Sequence, residues 1–260
     1  MAVTLATNAF VLLVLALVLW SVATRLRDVS IIDCCWGAAF VVVAWVGVVL
    51  NRPASARMLL LACLTTLWGM RLALYLLRRK RGHAEDRRYR AMRDYHGPRF
   101  WWVSLFTVFL LQAGLAWFVA LPLQYAAVIA SRTPLGGWDA CGVALWLIGF
   151  VFEAGGDRQL ARFQANPANR GKVLDRGFWR YTRHPNYFGD FCIWWGLYAI
   201  AAVGGAGSMI LSPVVMTVLL LKVSGVALLE KSISERRPEY AEYIRRTNAF
   251  FPGPPRDRDA

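Results

Sequence analysis

The feature that most limits the fold is a series of apolar stretches, each about as long as a membrane-crossing helix. A helix needs roughly 20 apolar residues to cross a bilayer. The 260-residue chain is 57% hydrophobic, and several segments reach or approach that length. The sequence therefore predicts an all-α, polytopic membrane protein with about seven transmembrane helices. The segments are Leu5–Thr24, Ile31–Leu50, Met58–Leu77, Trp101–Ala127, Trp138–Gly155, Phe188–Val203 and Met209–Leu229.

The first segment is predicted to be a retained helix. It has no basic region before it, and its apolar core is longer than the ~7–15 residues of a signal peptide. The fourth segment is long and the sixth is short, which indicates tilt or a break in each, with Pro122 as a candidate kink. We expect residues 1–260 to form a single membrane domain, with long cytosolic loops at 78–100 and 157–187 and a cytosolic tail at 231–260.

Positive charge is distributed unevenly over the loops between these segments. With seven spans, 25 of the 30 Lys and Arg residues fall on one side, and only Arg52, Arg57 and Arg132 fall on the other. Cytoplasmic loops carry the cation excess, so the amino terminus is predicted outside and the carboxyl terminus in the cytosol. Because the basic residues are split among membrane loops, no nucleic-acid partner is expected.

Composition also bounds the compartment and the cofactor chemistry. Arginine- and alanine-rich usage is typical of a GC-rich bacterial genome, so we expect an integral protein of the bacterial inner (cytoplasmic) membrane. The five cysteines form no CxxC pair and only three histidines are present, so no metal site is predicted. No glycine-rich phosphate loop follows a strand, so a nucleotide would have to be held by side chains and helix ends.

Charged side chains within the spans are costly and are functional candidates. On the predicted topology they all fall in the inner half of the bilayer, which indicates a water-accessible cavity open to the cytosol. Structural alternatives are pairing with arginines of the next loop, snorkelling of Arg71 and Lys222 to headgroups, and helix capping by Asp33. The residues are Asp33, Arg71, Glu153, Asp157, Asp190, Lys222 and Glu230.

The segment Arg180–Asp190, RYTRHPNYFGD, places cations, hydrogen-bonding groups and an acid directly before an apolar span. Arg180 and Arg183 are three residues apart, and guanidinium groups match phosphate geometry well. Asn186 opens the sixth helix, whose exposed N–H groups and positive dipole end attract anions. The run predicts a nucleotide-binding anion site; the alternative is an ordinary turn at His184.

These motifs resemble those of the steroid 5-alpha-reductase-like membrane enzymes, and more closely their uncharacterised bacterial branch. Together they span nearly the whole chain. They are Asp33-x-x-Trp36-Gly37, Trp68-Gly69-x-Arg71, Arg79-x-x-Gly82-x-x-Glu85-Asp86-x-Arg88-Tyr89, Glu153-x-x-x-Asp157-x-Gln159, Gly177-x-Trp179-x-x-x-Arg183-His184-Pro185-Asn186-Tyr187-x-Gly189-Asp190, and a tail with Glu230, Tyr240, Tyr243 and Phe251-Pro252.

The resemblance implies a seven-helix bundle that binds NADPH from the cytosol and reduces a carbon–carbon double bond in a lipid. It implies that the chain is an NADPH-dependent oxidoreductase acting on CH–CH groups. It places Arg71 and Lys172 near the cofactor's phosphates. The full predicted cofactor-binding set is Arg71, Glu153, Asp157, Lys172, Arg180, Arg183, His184, Asn186, Tyr187, Asp190, Glu230 and Tyr243.

The chain departs from the family at the substrate. The animal steroid reductases use a Gln-Glu pair and a Tyr to polarise the steroid ketone; this chain has no such pair, and Trp68 stands where that Tyr would be. We hypothesise that Asp33, directly or through water, donates a proton to the substrate or polarises the substrate by hydrogen bonding. Trp36 and Trp68 are expected to recognise the lipid. An enone steroid, a sterol, a polyprenyl lipid or an unsaturated acyl lipid fits equally well.

Two other functions remain open. The Arg-His-Pro-x-Tyr run also occurs in membrane methyltransferases resembling isoprenylcysteine carboxyl methyltransferase, where it helps to bind S-adenosylmethionine. Those enzymes typically have fewer spans before the motif, and the intramembrane cluster of Asp33, Arg71 and Glu153 favours the reductase. The third candidate is a non-catalytic lipid-binding membrane protein that retains the fold.

Overall fold

The computed structural model describes residues 1–129, 134–223 and 239–256. Over these residues the chain is helical and contains no β-strand, which confirms the predicted fold class. The α-helices are α1 (Ala2–Leu26), α2 (Ile31–Leu50), α3 (Ala56–Lys80), α4 (Arg87–His96), α5 (Phe100–Ser104), α6 (Leu111–Val119), α7 (Leu121–Val128), α8 (Gly137–Ala165), α9 (Pro185–Ala201), α10 (Leu211–Val218) and α11 (Glu239–Arg246).

Six helical runs within the described residues are long and apolar enough to cross a membrane. The last of them continues for 39 residues but is interrupted at Gly205, whose φ of 108° is left-handed. It therefore contains both the predicted sixth segment and the first part of the seventh, while residues 224–229 lie outside the described part of the chain. The runs are Ala2–Leu26, Ile31–Leu50, Ala56–Lys80, Arg87–Val119, Gly137–Ala165 and Pro185–Val223.

Shorter turns interrupt the long runs. The fourth predicted segment breaks at Ala120, and Pro122 stands in the first turn of α7, where its missing N–H costs no hydrogen bond. The other short elements are π turns or 3₁₀ turns: Gly97–Arg99, Leu105–Leu110, Pro167–Asn169, Gly177–Arg180, Ala202–Ala206, Gly207–Ile210 and Leu219–Val223.

The chain forms two compact units, and unit one consists of residues 1–135 and 200–212. Its tightest packing is between α2 and α3, which touch through Gly37 and Gly69. A Cβ at Gly37 would lie 2.5 Å from the Gly69 carbonyl oxygen, so neither position tolerates a side chain. The glycines of the Trp-Gly motifs therefore bring two backbones into contact, as small residues do between membrane helices.

Unit two consists of residues 136–199 and 213–260. Its helices α8 and α9 run antiparallel, since Gly142 lies against Gly196 and Gly149 lies against Gly189. Helix α8 continues to Ala165, so the predicted loop at 157–187 is too long: its first nine residues are helical, and the connection runs from 166 to 184. The acidic residues at 153 and 157 are consequently fixed on a helix rather than at its end.

Candidate functional site

The carboxylate of Asp33 lies in a hydrogen-bonded cluster near the start of α2. Its Oδ1 accepts a hydrogen bond from the Tyr89 hydroxyl at 2.7 Å, and its Oδ2 forms an ion pair with Arg88 Nη2 at 2.7 Å. Gln112 Nε2 donates in turn to the Tyr89 hydroxyl oxygen at 3.3 Å. Both carboxylate oxygens are therefore engaged, and the single proton of the Tyr89 hydroxyl is directed at Asp33.

A cap and an ion pair fix the start of α4, which carries the two partners of this carboxylate. Asp86 caps α4, and its Oδ1 accepts from the backbone N–H of Arg88 at 2.9 Å and from its Nε at 3.0 Å. Burial alone would raise the pKa of Asp86, but the hydrogen bonds from Arg88 outweigh burial and lower it. Glu85 binds Arg93 through both oxygens, at 2.8 and 2.9 Å, and also accepts the backbone N–H of Val29 at 2.8 Å.

A narrow, largely apolar crevice lies among α1, α2 and α6 in unit one, and Trp36 and Gln112 are among the residues that line it. Gln112 therefore connects the crevice to the Tyr89 hydroxyl. Trp36 packs edge-on against Phe40, with centroids 5.2 Å apart, and Phe40 packs against Trp68 at 5.7 Å. Trp68 is fully buried in this packing and does not line the crevice, so only the first of the two predicted lipid-reading tryptophans does.

In unit two, Glu153 and Asp157 share a buried face of α8, and each is only 4% exposed. Asn186, at the start of α9, donates from Nδ2 to Asp157 Oδ1 over a long 3.5 Å. A Cβ at Gly189 would lie 2.7 Å from Glu153 Cβ, so the α9 backbone packs directly on this acid. Three of the predicted cofactor-binding residues are thus brought together.

At or just before the start of the same helix, α9, lie three further predicted cofactor-binding residues: His184, Tyr187 and Asp190. His184 is buried, and its ring stacks on that of Tyr187 with centroids 5.7 Å apart and planes at 16°. The backbone N–H of His184 donates to Thr182 Oγ1 at 3.3 Å, which fixes the turn that leads into α9. Asp190 is half-buried one residue after the glycine that packs on Glu153.

Arg180 and Arg183, which were predicted to bind one anion together, have different surroundings. Arg183 is buried, and its Nη1 donates to the backbone carbonyls of Ile244 at 3.0 Å and Thr247 at 2.5 Å. Its side chain therefore ties the carboxyl-terminal segment to the loop before α9. Arg180 ends a 3₁₀ turn and is exposed.

The carboxyl-terminal segment is bonded to this same loop along its length. The buried hydroxyl of Tyr243, in α11, donates to the backbone carbonyl of Trp179, and Thr182 Oγ1 donates to the carbonyl of Phe250 at 2.8 Å. Burial, reinforced by the neighbouring Tyr240, raises the pKa of Tyr243 well above its ordinary value. Tyr243 is thus a neutral hydrogen-bond donor that anchors α11.

The remaining predicted residues are divided between the units. Arg71 belongs to unit one, where its guanidinium lies 5.6 Å from the centre of the Tyr75 ring. Lys172 belongs to unit two and is exposed in a turn closed by its N–H and the carbonyl of Asn169, at 3.0 Å. Glu230 lies outside the described residues.

Sequence reasoning missed Tyr89 and Gln112 as members of the site. Tyr89 was present in the Arg88-Tyr89 motif, and its position next to an arginine of a charged helix was the available signal. Gln112 lies in an apolar segment, where a buried amide needs a hydrogen-bond partner. That requirement is the only feature of the sequence that indicates its role. Within the described part of the chain, no group of three or more His, Cys, Asp or Glu side chains is arranged to hold a metal ion.

Comparison with known proteins adds family membership but no activity. Residues 19–247 match a family model described as "Protein of unknown function (DUF1295)". An uncharacterized protein of Schizosaccharomyces pombe is 29% identical over 282 aligned positions, which cover 95% of this chain and 80% of the yeast protein. No solved structure matches the chain.

Proposed function

Because the chain belongs to the DUF1295 family, whose function is unknown, we propose a function from its own residues. The protein is an NADPH-dependent membrane reductase of a carbon–carbon double bond in a lipid, in the bacterial branch of the steroid 5-alpha-reductase-like enzymes. Of the predicted cofactor residues that the structure describes, all but Arg71 belong to unit two, whereas Asp33, Tyr89 and Gln112 belong to unit one.

The residues of unit two fit a dinucleotide. Buried carboxylates at Glu153 and Asp157 are acceptors of the kind that bind ribose hydroxyls, and the amide of Asn186 suits a carboxamide. The glycine contacts between α8 and α9 hold these groups together on helices rather than on loops. When bound, NADPH supplies the two electrons of the reduction as a hydride.

The residues of unit one suit a lipid with a polar group at one end. Its crevice is largely apolar, with Trp36 and the amide of Gln112 in its walls; at about 20 Å³ it holds no more than the polar end of a lipid. A carbonyl or hydroxyl oxygen of the lipid is the expected partner of Gln112 and of the Tyr89 hydroxyl behind it. Enone steroids, sterols and polyprenols all carry such a group, whereas a plain acyl chain lacks it at mid-length. Hydride addition also requires a double bond conjugated to a carbonyl, so an enone-type lipid is the best match.

The hydrogen bond from Tyr89 to Asp33 carries the proposal. Reduction of an activated double bond builds negative charge on the substrate, and a positioned hydroxyl relieves it by donating a hydrogen bond or a proton. Because Arg88 and Tyr89 occupy the two oxygens of Asp33, the proposed acid is the Tyr89 hydroxyl, whose single proton turns from Asp33 to the substrate in the reaction and is then replaced from water. Methyl transfer from S-adenosylmethionine has no need of such a donor.

The test is a binding titration followed by lipid profiling. Purified full-length protein is titrated with NADPH and, separately, with S-adenosylmethionine; saturable binding of NADPH alone is expected. Lipids of cells with and without the gene are then compared, and the expected result is a pair of lipids that differ by two hydrogens. Saturable binding of S-adenosylmethionine alone, or NADPH binding with no change in any lipid, would overturn the reductase.

A further inference from the structure

A polar cleft of about 360 Å³ in unit two lies where α8 passes into the following loop, outside the predicted cofactor residues. Two guanidinium groups, of Arg162 and Arg176, line it together with the side chains of Gln159, Asn169 and Phe163. No aspartate or glutamate is among the described residues that line it. The cleft therefore presents two positive charges and several amide groups to one volume.

Hydrogen bonds hold the walls of the cleft in place. Gln159 Oε1 accepts the backbone N–H of Phe178 at 3.0 Å, and Asn169 Nδ2 donates to the carbonyl of Phe163 at 3.0 Å. Gly177 has a φ of +63°, and a Cβ there would lie 2.4 Å from Gln159 Nε2, so only glycine lets the amide lie at this position. The polar wall is fixed before any ligand arrives.

Among the described residues, the acid next to the cleft is paired with an arginine outside it. Asp175 directly precedes Arg176, but its Oδ2 lies 3.2 Å from Arg246 Nη2, which compensates that charge. Within the part of the chain that the structure describes, neither Arg162 nor Arg176 forms an ion pair. Both guanidiniums are exposed on the cleft, where they can meet an anion.

We propose that this cleft binds a phosphomonoester dianion, and that the phosphate is the 2′-phosphate of NADPH, which rests on the proposed function. A guanidinium binds phosphate through paired N–H donors, and two guanidiniums match the two charges of a phosphomonoester. An arginine is the residue type that accommodates a 2′-phosphate in nucleotide sites, whereas an acidic residue binds the free 2′-hydroxyl of NADH. The cleft thereby selects NADPH over NADH.

The experiment measures equilibrium binding rather than turnover. Wild-type protein, Arg162→Gln, Arg176→Gln and the double variant are titrated with NADPH, NADH, 2′,5′-ADP and 5′-AMP. Each single change is expected to weaken NADPH and 2′,5′-ADP by about tenfold or more, the scale of one charged hydrogen bond, and to leave NADH and 5′-AMP unchanged. Arg158→Gln removes the same charge from the exposed face of α8, outside the cleft, and should stay within about twofold of wild type.

The outcomes separate the cleft from the proposed function. Two results would overturn the cleft assignment while leaving NADPH as the cofactor. In the first, the double variant binds NADPH as tightly as wild type does. In the second, the double variant loses affinity for NADH as much as for NADPH. If wild type binds no nucleotide at all, the proposed function fails first. The last measurement uses bilayer discs with and without phosphatidic acid, whose headgroup is also a phosphomonoester. If wild type retains that lipid, the double variant does not, and neither binds 2′,5′-ADP, then the phosphate comes from a lipid and the assignment to NADPH is overturned. Melting temperatures of all variants check that each is folded.

Discussion

The Tyr89 hydroxyl and the Asp33 carboxylate are joined by a hydrogen bond, and the groups around them indicate which one is the proton donor of the proposed reaction. Arg88 ion-pairs with one carboxylate oxygen at 2.7 Å, and Tyr89 donates to the other at the same distance. Both oxygens of Asp33 are thus occupied. On the proposed function Tyr89 is the expected proton donor, and Asp33 holds its hydroxyl between turnovers.

Removal of the Tyr89 hydroxyl tests this assignment directly. In Tyr89→Phe we expect turnover to fall by about 10²-fold, the scale of a lost general acid, because the ring still fills its buried place but no proton is available. NADPH affinity should stay within about twofold. The measurement is the ratio of the two lipids in cells lacking the gene that are complemented with each variant, together with a cofactor titration of the purified protein.

Tyr95→Phe is the matched control, since Tyr95 is 85% exposed on the same helix and should behave as wild type. Unchanged turnover in Tyr89→Phe would contradict the assignment of the acid. A parallel loss of NADPH affinity and of melting temperature would instead assign Tyr89 to folding.

Local pattern predicted some of these residues and missed others for a physical reason. Glu153 and Asp157 are four residues apart, and helical periodicity alone places them on one face. The contact of Asp33 with Tyr89 joins positions 56 residues apart, and it depends on how the capped α4 folds back on α2. No periodicity in either segment encodes that return, so Asp33 could be selected as an ionisable residue in a span while its partners could not.

At the scale of helices, glycines at every seventh position determine how α8 and α9 meet. Gly142, Gly149 and Gly156 lie on one face of α8, and Gly189 and Gly196 lie on the facing side of α9. Where no side chain intervenes, the two backbones touch, and van der Waals contact supports the pair in a membrane, where apolar burial adds little. The glycines thus bring the acids of α8 to the start of α9.

Addition of one methyl group at Gly149 should push α8 and α9 apart. In Gly149→Ala the new Cβ would lie 2.5 Å from the Gly189 carbonyl oxygen and 2.7 Å from the Ile193 backbone nitrogen, which are backbone atoms that cannot rotate away. We expect a loss of about 1–3 kcal/mol in unfolding free energy, the usual scale of overpacking. The measurement is the melting temperature in detergent, with NADPH affinity as a second readout of the displaced carboxylates.

Gly114→Ala is the matched control, because it makes the same change inside α6, where the new Cβ would meet nothing within 4 Å beyond the backbone of its own helix and its chain neighbours. It should leave stability unchanged or raise it by up to about 1 kcal/mol through helix propensity. If Gly149→Ala behaved like Gly114→Ala, the close approach of α8 and α9 would not contribute to stability.

The ends of the helices were less predictable than their existence. Hydropathy indicates an end of the fifth segment at Gly155, yet α8 continues to Ala165. The added stretch RQLARFQA is polar but rich in residues with high helix propensity, and it needs no lipid contact to remain helical. That extension carries Gln159 and Arg162 into the basic cleft, which explains why the cleft was not visible in the sequence.

At the scale of the whole molecule, the last described segment returns to the middle of the chain. Residues 239–256 bind the loop at 177–184 through the Arg183 guanidinium, the Thr182 hydroxyl and the Tyr243 hydroxyl. Backbone bonds extend the contact, since Arg183 N–H donates to the Asn248 carbonyl at 2.9 Å and Gly253 N–H donates to that of Tyr181 at 3.0 Å. The segment therefore stabilises the loop that leads into the helix carrying Asn186.

The anchor at Tyr243 predicts a loss of stability at alkaline pH. Burial raises the pKa of Tyr243 above its unfolded value of about 10, so its contribution is fully present below about pH 10 and is lost as pH rises further. Tyr243→Phe should cost about 1 kcal/mol at pH 8, a few degrees of melting temperature, and should flatten the decline above pH 10. Tyr95→Phe, at an exposed site, should retain the steep decline of wild type. Melting curves of the three proteins from pH 8 to 11 decide the matter, and three parallel declines would show that another group controls the alkaline unfolding.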